Sequence, residues 1–356
     1  MTDLLEPKKP VKPFFEMKLN KTQGVVELQQ GSGGRATAQL IEQMFIKAFA
    51  NPWLHQKNDA ASFTVSGGRY VMSTDAHVIS PLFFPGGNIG SLAVHGTIND
   101  LAMAGARPLY LTASFILEEG FPLADLEKIV CAMAEAANHA KVAIIAGDTK
   151  VVERGKGDGV FISTTGFGVI PEGVVISGDQ AKPGDMVIIS GFMGDHGVAI
   201  LSQRNHLQFT TQVQSDTQAL HELVQTMLAV SPSIHCLRDP TRGGVATSLN
   251  ELATQSQVGI MINENCIPVR SEVASACELL GLDPLYIANE GKLLAICAPE
   301  DSERLIQAMC AHPLGSESAI IGQVVTDPLA RVKIKTKLGG VRLIDWLLGD
   351  QLPRIC

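Results

Sequence analysis

Small clusters of Gly, Ser, Thr, Asn and Asp interrupt the otherwise apolar segments of this chain, and they limit its possible folds more than any other feature. Ser73-Thr74-Asp75 closes an extended run that begins at Arg69, and Gly147-Asp148-Thr149-Lys150 closes the short apolar strand Val142–Ala146. Asn99-Asp100 falls in a helix opened by Gly86-Gly87-Asn88-Ile89-Gly90 and continuing to Ala106, while Arg238-Asp239-Pro240-Thr241-Arg242-Gly243-Gly244 precedes another helical pattern. Strand-length apolar runs that alternate with helical ones require layered packing of sheets and helices. Carboxylates just after strands, such as Asp75 and Asp148, can converge at one edge of a sheet and suit magnesium carried by a nucleotide triphosphate.

The alternation runs through two halves. In the first, Val25-Val26-Glu27-Leu28 reads as a strand and Ala36–Ala50 as a helix, with Leu40, Ile41, Met44, Phe45 and Phe49 at helical spacing and Pro52 as its stop. Strand Leu109–Leu117, helix Leu123–Ala140 and strand Val160–Val169 follow. The second half opens near Pro171, and the turn Lys182-Pro183-Gly184-Asp185 leads into strand Met186–Ser190. Helical patterns recur over 196–204, 216–229, 243–255, 271–281 and 301–310, with strands near 258–262, 292–298, 318–326 and 331–335. The expectation is an α/β (α+β) chain with a flexible leader over 1–23, domains over 24–170 and 171–347, and a mobile tail over 348–356. Spacing alone does not fix the strand order.

At 356 residues with 46% hydrophobic positions, the chain can bury two ordinary cores. Lys and Arg total 28 against 36 Asp and Glu, and a net charge of -8 argues against a nucleic-acid or anionic-membrane surface. Phosphate chemistry must then rely on local N–H donors and bound cations. No apolar run approaches the ~18 residues that cross a bilayer, and the first residues carry no secretion signal. Seven scattered cysteines with no CxxC pair read, Cys356 excepted, as buried, reduced core residues of a cytoplasmic protein and argue against zinc.

Gly31-Ser32-Gly33-Gly34 could wrap backbone N–H groups around phosphate, and the Gly86–Gly90 segment starts a helix whose N–H groups favour anions. Each serves equally as a plain turn, and no GxxxxGK[ST] motif is present. Lys150 and Glu290, in Asn289-Glu290-Gly291-Lys292, are candidates for an acid–base or charge-stabilising pair, if the fold brings them together. His77 and His196 adjoin the clusters and read as structural or positioning groups.

The chain ends on a thiol, Cys356, in Gln351-Leu352-Pro353-Arg354-Ile355-Cys356. Pro353 disfavours a helix running to the end. Seven extended residues from Asp350 span roughly 24 Å at about 3.4 Å each, enough to enter a neighbouring cleft. Such a thiol can carry a group between catalytic centres, or it can simply be a frayed end. Its own α-carboxylate opposes thiolate formation and Arg354 favours it.

Together the clusters resemble the ATP-binding superfamily of aminoimidazole ribonucleotide synthetase, and within it the carbamoyl dehydratases of hydrogenase maturation. The marks include Gly194-Asp195-His196-Gly197 as well as the segments above, and Pro353-Arg354-Ile355-Cys356 points to the narrower family. The resemblance implies an N-terminal α/β domain whose sheet pairs across a homodimer into a barrel, and a C-terminal α/β sandwich with ATP bound between the two. It implies that a partner carbamoyltransferase, HypF, loads a carbamoyl group onto Cys356. ATP then dehydrates this to a thiocyanate, and the cyano group passes to iron on a HypC–HypD complex.

By the same resemblance, Asp75, Asp100, Asp148 and Asp239 hold Mg2+. Gly31, Ser32, Gly33, Gly34, Asp75, Asn99, Asp100, Gly147, Asp148 and Thr149 contact ATP. Glu290 is the base and Lys150 holds the activated oxygen or phosphate, although these two roles could be exchanged. Selenophosphate synthetase and thiamine-monophosphate kinase are rivals within the superfamily. The first carries a reactive Cys or selenocysteine near the glycine turn, whereas Ser32 stands here and no cysteine precedes Cys131. A carrier with a purely regulatory nucleotide site is the rival of a different class.

Overall fold

The computed structural model describes residues 34–40, 42–43, 61–65, 68–204, 212–349 and 354–356. The expected leader, the strand over 25–28, the glycines Gly31 and Gly33, most of the Ala36–Ala50 helix and Pro353 lie outside them. Of that helix, α1 (Gly34–Leu40) is described.

The first half builds a five-stranded sheet in the order β1-β2-β7-β5-β6, from β1 (Ala61–Val65), β2 (Gly68–His77), β5 (Arg107–Glu118), β6 (Ala143–Val152) and β7 (Val160–Ile170). Only the β5–β6 pairing is parallel; the crossover between them contains α3 (Leu123–His139). Strand β7 alternates buried and half-buried residues along its whole length, as a sheet covered on one face requires. The covering element is α2 (Ile89–Met103), which follows the short hairpin of β3 (Phe83–Phe84) and β4 (Gly87–Asn88). It comes so close that a Cβ on Gly166 would sit 2.8 Å from both Leu101 Cδ1 and Thr97 Cγ2.

The second half forms a seven-stranded sheet, β14-β13-β10-β12-β8-β11-β9. Its strands are β8 (Met186–Ile189), β9 (Ile234–Arg238), β10 (Gly259–Asn263), β11 (Leu294–Cys297), β12 (Ala319–Val325), β13 (Val332–Lys335) and β14 (Val341–Ile344). Both faces are covered around its centre. Val187, Ile189, Leu294 and Ile296 pack with α6 (Gly244–Ser256), whereas Ile188, Ala295 and Cys297 pack with α5 (His221–Val230) and α8 (Pro299–Cys310). All of β11 is therefore buried, which explains why its sequence reads as one apolar run. Helices α4 (Asp195–Ser202) and α7 (Ser271–Leu280) lend Val198, Ile200, Val273 and Cys277 to the core of the first half, so the two sheets share a packed boundary.

Several expectations change. Ser73-Thr74-Asp75 and Gly147-Asp148-Thr149-Lys150 lie inside β2 and β6 instead of after them, because β2 pairs with β7 from Arg69 to His77 and β5 pairs with β6 as far as Val152. The helix expected over 216–229 starts only at His221, since Leu220 N–H is taken by Asn99 Oδ1 and Ser215 N–H by the Pro85 carbonyl. Strand β9 was not foreseen, because five residues including His235 and Arg238 carry no strong apolar signal. The start of α2 is not an open anion site: Asn88 Oδ1 accepts from Gly90 and Ser91 N–H, using donors a phosphate would need.

Candidate active site

The site lies at the boundary of the two halves, and the chain's own end enters it. Val78 N–H donates to the Cys356 carbonyl and Ser80 N–H to the Arg354 carbonyl, each at 3.1 Å, so that Ile355 forms an antiparallel bridge with Ile79. Arg204 donates to the Arg354 and Ser80 carbonyls at 3.1 Å, and Arg354 pairs with Asp158 in the β6–β7 connection. Ile355 is 3% exposed and belongs to the first core. Burying that side chain contributes about 2–3 kcal/mol to docking.

Beside the docked end lies Glu290, close enough to the Cys356 thiol to shift its pKa. The Glu290 carboxylate oxygen Oε1 is buried with no hydrogen-bond partner among the described residues. Burial raises the Glu290 pKa well above the usual carboxylate value, and the nearby Asp216, Asp239 and Asp75 push the same way against Arg242. Enclosure also pushes the Cys356 thiol upward; Arg242 opposes this, while Glu290 and Asp75 reinforce it. Arg242, in the loop that joins β9 to α6, has its pKa raised by Cys356, Asp75, Glu290 and Asp100 against the effect of burial.

The Asn289-Glu290-Gly291-Lys292 segment owes its sequence to this placement. Asn289 anchors it, accepting from Gly194 N–H at 2.7 Å and donating to the Pro240 and Ile287 carbonyls. Glu290 N–H donates to Asp216 Oδ1 at 3.0 Å, and Lys292 pairs with Asp216 Oδ2 at 3.2 Å. A Cβ on Gly291 would overlap the Asp216 carbonyl, so only glycine lets the segment pass. Gly291→Ala is expected to cost about 1–3 kcal/mol of stability, and to slow the chemistry about 10²-fold by displacing Glu290. Thermal unfolding and single-turnover kinetics read the two effects separately.

The structure brings Cys356, Glu290, Asp75, Asp100 and Asp239 into one region, judged by the groups that bear on Glu290 and Arg242. Asp75 Oδ1 accepts from Ala76 N–H at 2.8 Å, and Asp100 Oδ2 accepts from Ser73 Oγ at 2.5 Å. Asn99 is used differently from the expectation. Its amide donates to the Gln218 and Glu290 carbonyls and accepts from Leu220 N–H, so it braces the Glu290 segment from below.

Gly147, Asp148, Thr149 and Lys150 lie on the edge strand β6. The register runs Asp75, Thr164, Ala113, Gly147 across the sheet. That puts Gly147 three strands from Asp75, roughly 14 Å away. Gly31, Ser32 and Gly33 lie outside the described residues, while Gly34 sits against Leu347, whose carbonyl accepts from Arg35 N–H at 3.2 Å. Sequence reading missed Asp216 and Ser215, which look like ordinary residues ahead of a helix, and gave no role to Arg242 or Lys292 inside motifs it had found.

Among the described residues, no three His, Cys, Asp or Glu side chains are placed to enclose a metal ion. Magnesium in nucleotide sites is typically held by one or two carboxylates plus phosphate oxygens and water. Separate carboxylates such as Asp75, Asp100 and Asp239 fit that mode better than a closed protein cage.

Family models for the N-terminal and C-terminal domains of AIR synthase related proteins match residues 57–170 and 182–335. Over 347 residues the chain is 61% identical to the carbamoyl dehydratase HypE of Cupriavidus necator, covering 97% of this chain and 99% of that one. The chain belongs to the HypE family of carbamoyl dehydratases. Among solved HypE structures, one in complex with ATP shares 49% identity, covers 92% of this chain and 99% of its own, and superposes with a TM-score of 0.79. A HypE–HypF complex shares 48% identity, covers 86% and 99% respectively, and gives a TM-score of 0.82. Within the HypE family, the docked end described above places the terminal cysteine of this chain against a buried carboxylate.

Proposed function

We infer that the protein is an ATP-dependent carbamoyl dehydratase of hydrogenase maturation that acts on a carbamoyl group carried by its own Cys356, converting the thiocarboxamide to a thiocyanate. The observation that carries this reading is the docked chain end, which sets Cys356 beside the buried Glu290, whose Oε1 is unpartnered among the described residues. A carbamoyl group on the sulfur would bring its amide nitrogen to that oxygen. The carbonyl oxygen attacks the terminal phosphate of ATP, forming a C–O–P linkage and releasing ADP. Glu290 takes one proton from nitrogen; the second passes to the departing phosphate as the C–O bond breaks, leaving S–C≡N and inorganic phosphate. Phosphorylation is needed because an amide oxygen is otherwise a very poor leaving group.

Asp75, Asp100 and Asp239 are the residues that would hold magnesium; Asp148, given the same role by the resemblance, lies on edge strand β6, three strands from Asp75. The ion's contribution is to neutralise charge on the phosphates. By the resemblance Lys150, also on β6, would hold the activated oxygen or phosphate, or exchange this role with Glu290. Asn99 and Asp216 keep Glu290 in place, and Arg242 supplies fixed positive charge beside the sulfur.

HypF is the loading partner this reading requires, and a HypC–HypD complex receives the cyano group. A homodimer is supported by the outer face of the first sheet, where Met72, Tyr110 and Ile116 are each more than 40% exposed. Among the described residues, no helix is long and apolar enough to cross a membrane.

The test is the mass of the C-terminal peptide after incubation with the carbamoyltransferase system. The expected result is a carbamoyl adduct that loses one water only when ATP is added. An unmodified peptide, or water loss without ATP, overturns the reading.

A further inference from the structure

A short peptide docked on an extended segment by one antiparallel bridge has a register problem. Backbone bonds repeat along such a segment, and a slip of one residue turns every side chain to the opposite face. Val78 and Ser80 hold the tail by the Cys356 and Arg354 carbonyls. The carbonyl between these, on Ile355, points the other way, and there it meets His196 Nε2 at 2.8 Å. The opposite ring nitrogen, Nδ1, lies 2.7 Å from Ser215 Oγ, which itself accepts from Thr217 N–H at 3.2 Å.

For a neutral ring this chain of bonds has one consistent assignment. A carbonyl can only accept, so Nε2 carries the hydrogen and Nδ1 accepts from the Ser215 hydroxyl. Phe84 packs edge-on against the ring at 5.6 Å between centroids and limits its rotation. His196 is buried, and burial keeps the imidazole neutral, which this assignment requires.

We propose that His196 is a positioning residue for the dehydration: by donating to the Ile355 carbonyl it selects the one tail register in which the Cys356 sulfur faces Glu290. The inference rests on the reading that Cys356 carries the reactant. It assigns His196 no contact with the reacting atoms. A slip of one residue would leave Nε2–H without its acceptor and turn the sulfur away from Glu290. The competing role is packing alone, a histidine that fills space beside Phe84 and is indifferent to the tail.

The test is alkylation of Cys356 by iodoacetamide in the full chain with ATP and magnesium present, read by mass on the C-terminal peptide so that other thiols do not contribute. Loss of one buried hydrogen bond is expected to speed labelling about tenfold in His196→Ala. His196→Gln, which keeps an N–H donor, is expected to recover part of the protection, and Ser215→Ala to lose a smaller part of it. Labelling of His196→Ala at the wild-type rate overturns the proposal. If that variant does not fold, wild-type rates in both His196→Gln and Ser215→Ala overturn it instead.

Melting temperatures separate the two roles of the ring. The His196→Ala decrement is expected to be larger in the full chain than in a chain ending at Pro353, which lacks the Ile355 carbonyl. Equal decrements mean packing alone. Alkylation needs no carbamoyl chemistry, so failure here and failure of the dehydratase reading are distinguishable.

Discussion

Cys356→Ala is expected to abolish both carbamoyl loading and cyano-group formation while leaving the fold and ATP binding intact. The contacts that dock the tail are made by the Arg354, Ile355 and Cys356 carbonyls, the Arg354 side chain and the buried Ile355 side chain, and the substitution keeps all of them. What it removes is the sulfur. No other thiol can take its place. Cys236, Cys277 and Cys297 are buried among core side chains, out of reach of a loading partner. Cys131, Cys266 and Cys310 are exposed, contrary to the expectation of buried core cysteines, because they sit on the outer faces of helices or in a surface turn, and none of them is among the groups that bear on Glu290. Intact mass after incubation with the carbamoyltransferase system reads the loading, and nucleotide-induced thermal shift reads ATP binding. If this variant still matured active hydrogenase in cells, the reactant could not be carried on Cys356.

The polar clusters were legible because strands and buried helices have little other use for Asp or Asn, so Asp75, Asn99, Asp100 and Asp239 stand out against apolar neighbours. Their mutual placement was not legible. Asp75 and Gly147 share one row of the first sheet, and that follows from β7 and β5 lying between them, an order that sequence spacing does not determine. Asn99 shows the limit most clearly. A buried asparagine beside an aspartate reads as a ligand contact, yet its amide is satisfied by backbone from residues 218, 220 and 290, more than a hundred positions away. Asp216 was missed for the converse reason. Locally it is one more polar residue ahead of a helix, and its importance arises only when the glycine at 291 lets Glu290 and Lys292 close on it. The tail motif was read from sequence as a carrier. That His196 and Arg204 meet its carbonyls depends on where α4 packs, which no local pattern encodes.

Glu290→Gln is expected to slow single-turnover dehydration of the loaded enzyme about 10³-fold, the range lost when a positioned base is removed. Glutamine keeps the volume, and its backbone keeps the bonds to Asp216 and Asn99, so carbamoyl loading and ATP binding are expected to persist. The loaded peptide should then accumulate with its oxygen intact. The pH dependence separates a lost base from lost packing. Glu290 acts as a carboxylate, and burial, with Asp216, Asp239 and Asp75 around it, raises its pKa well above the ordinary 4.5. The rate should therefore be depressed at acid pH, rise about tenfold per pH unit, and level off only beyond that raised value. Asp216→Asn removes the largest charged contribution to the shift, and the break should move to lower pH as a result. In Glu290→Gln the acid limb should vanish and the residual rate should be flat across the same range. A wild-type profile already level near pH 5, or an unchanged acid limb in Glu290→Gln, would assign the proton transfer to another group, with Lys150 the first to test.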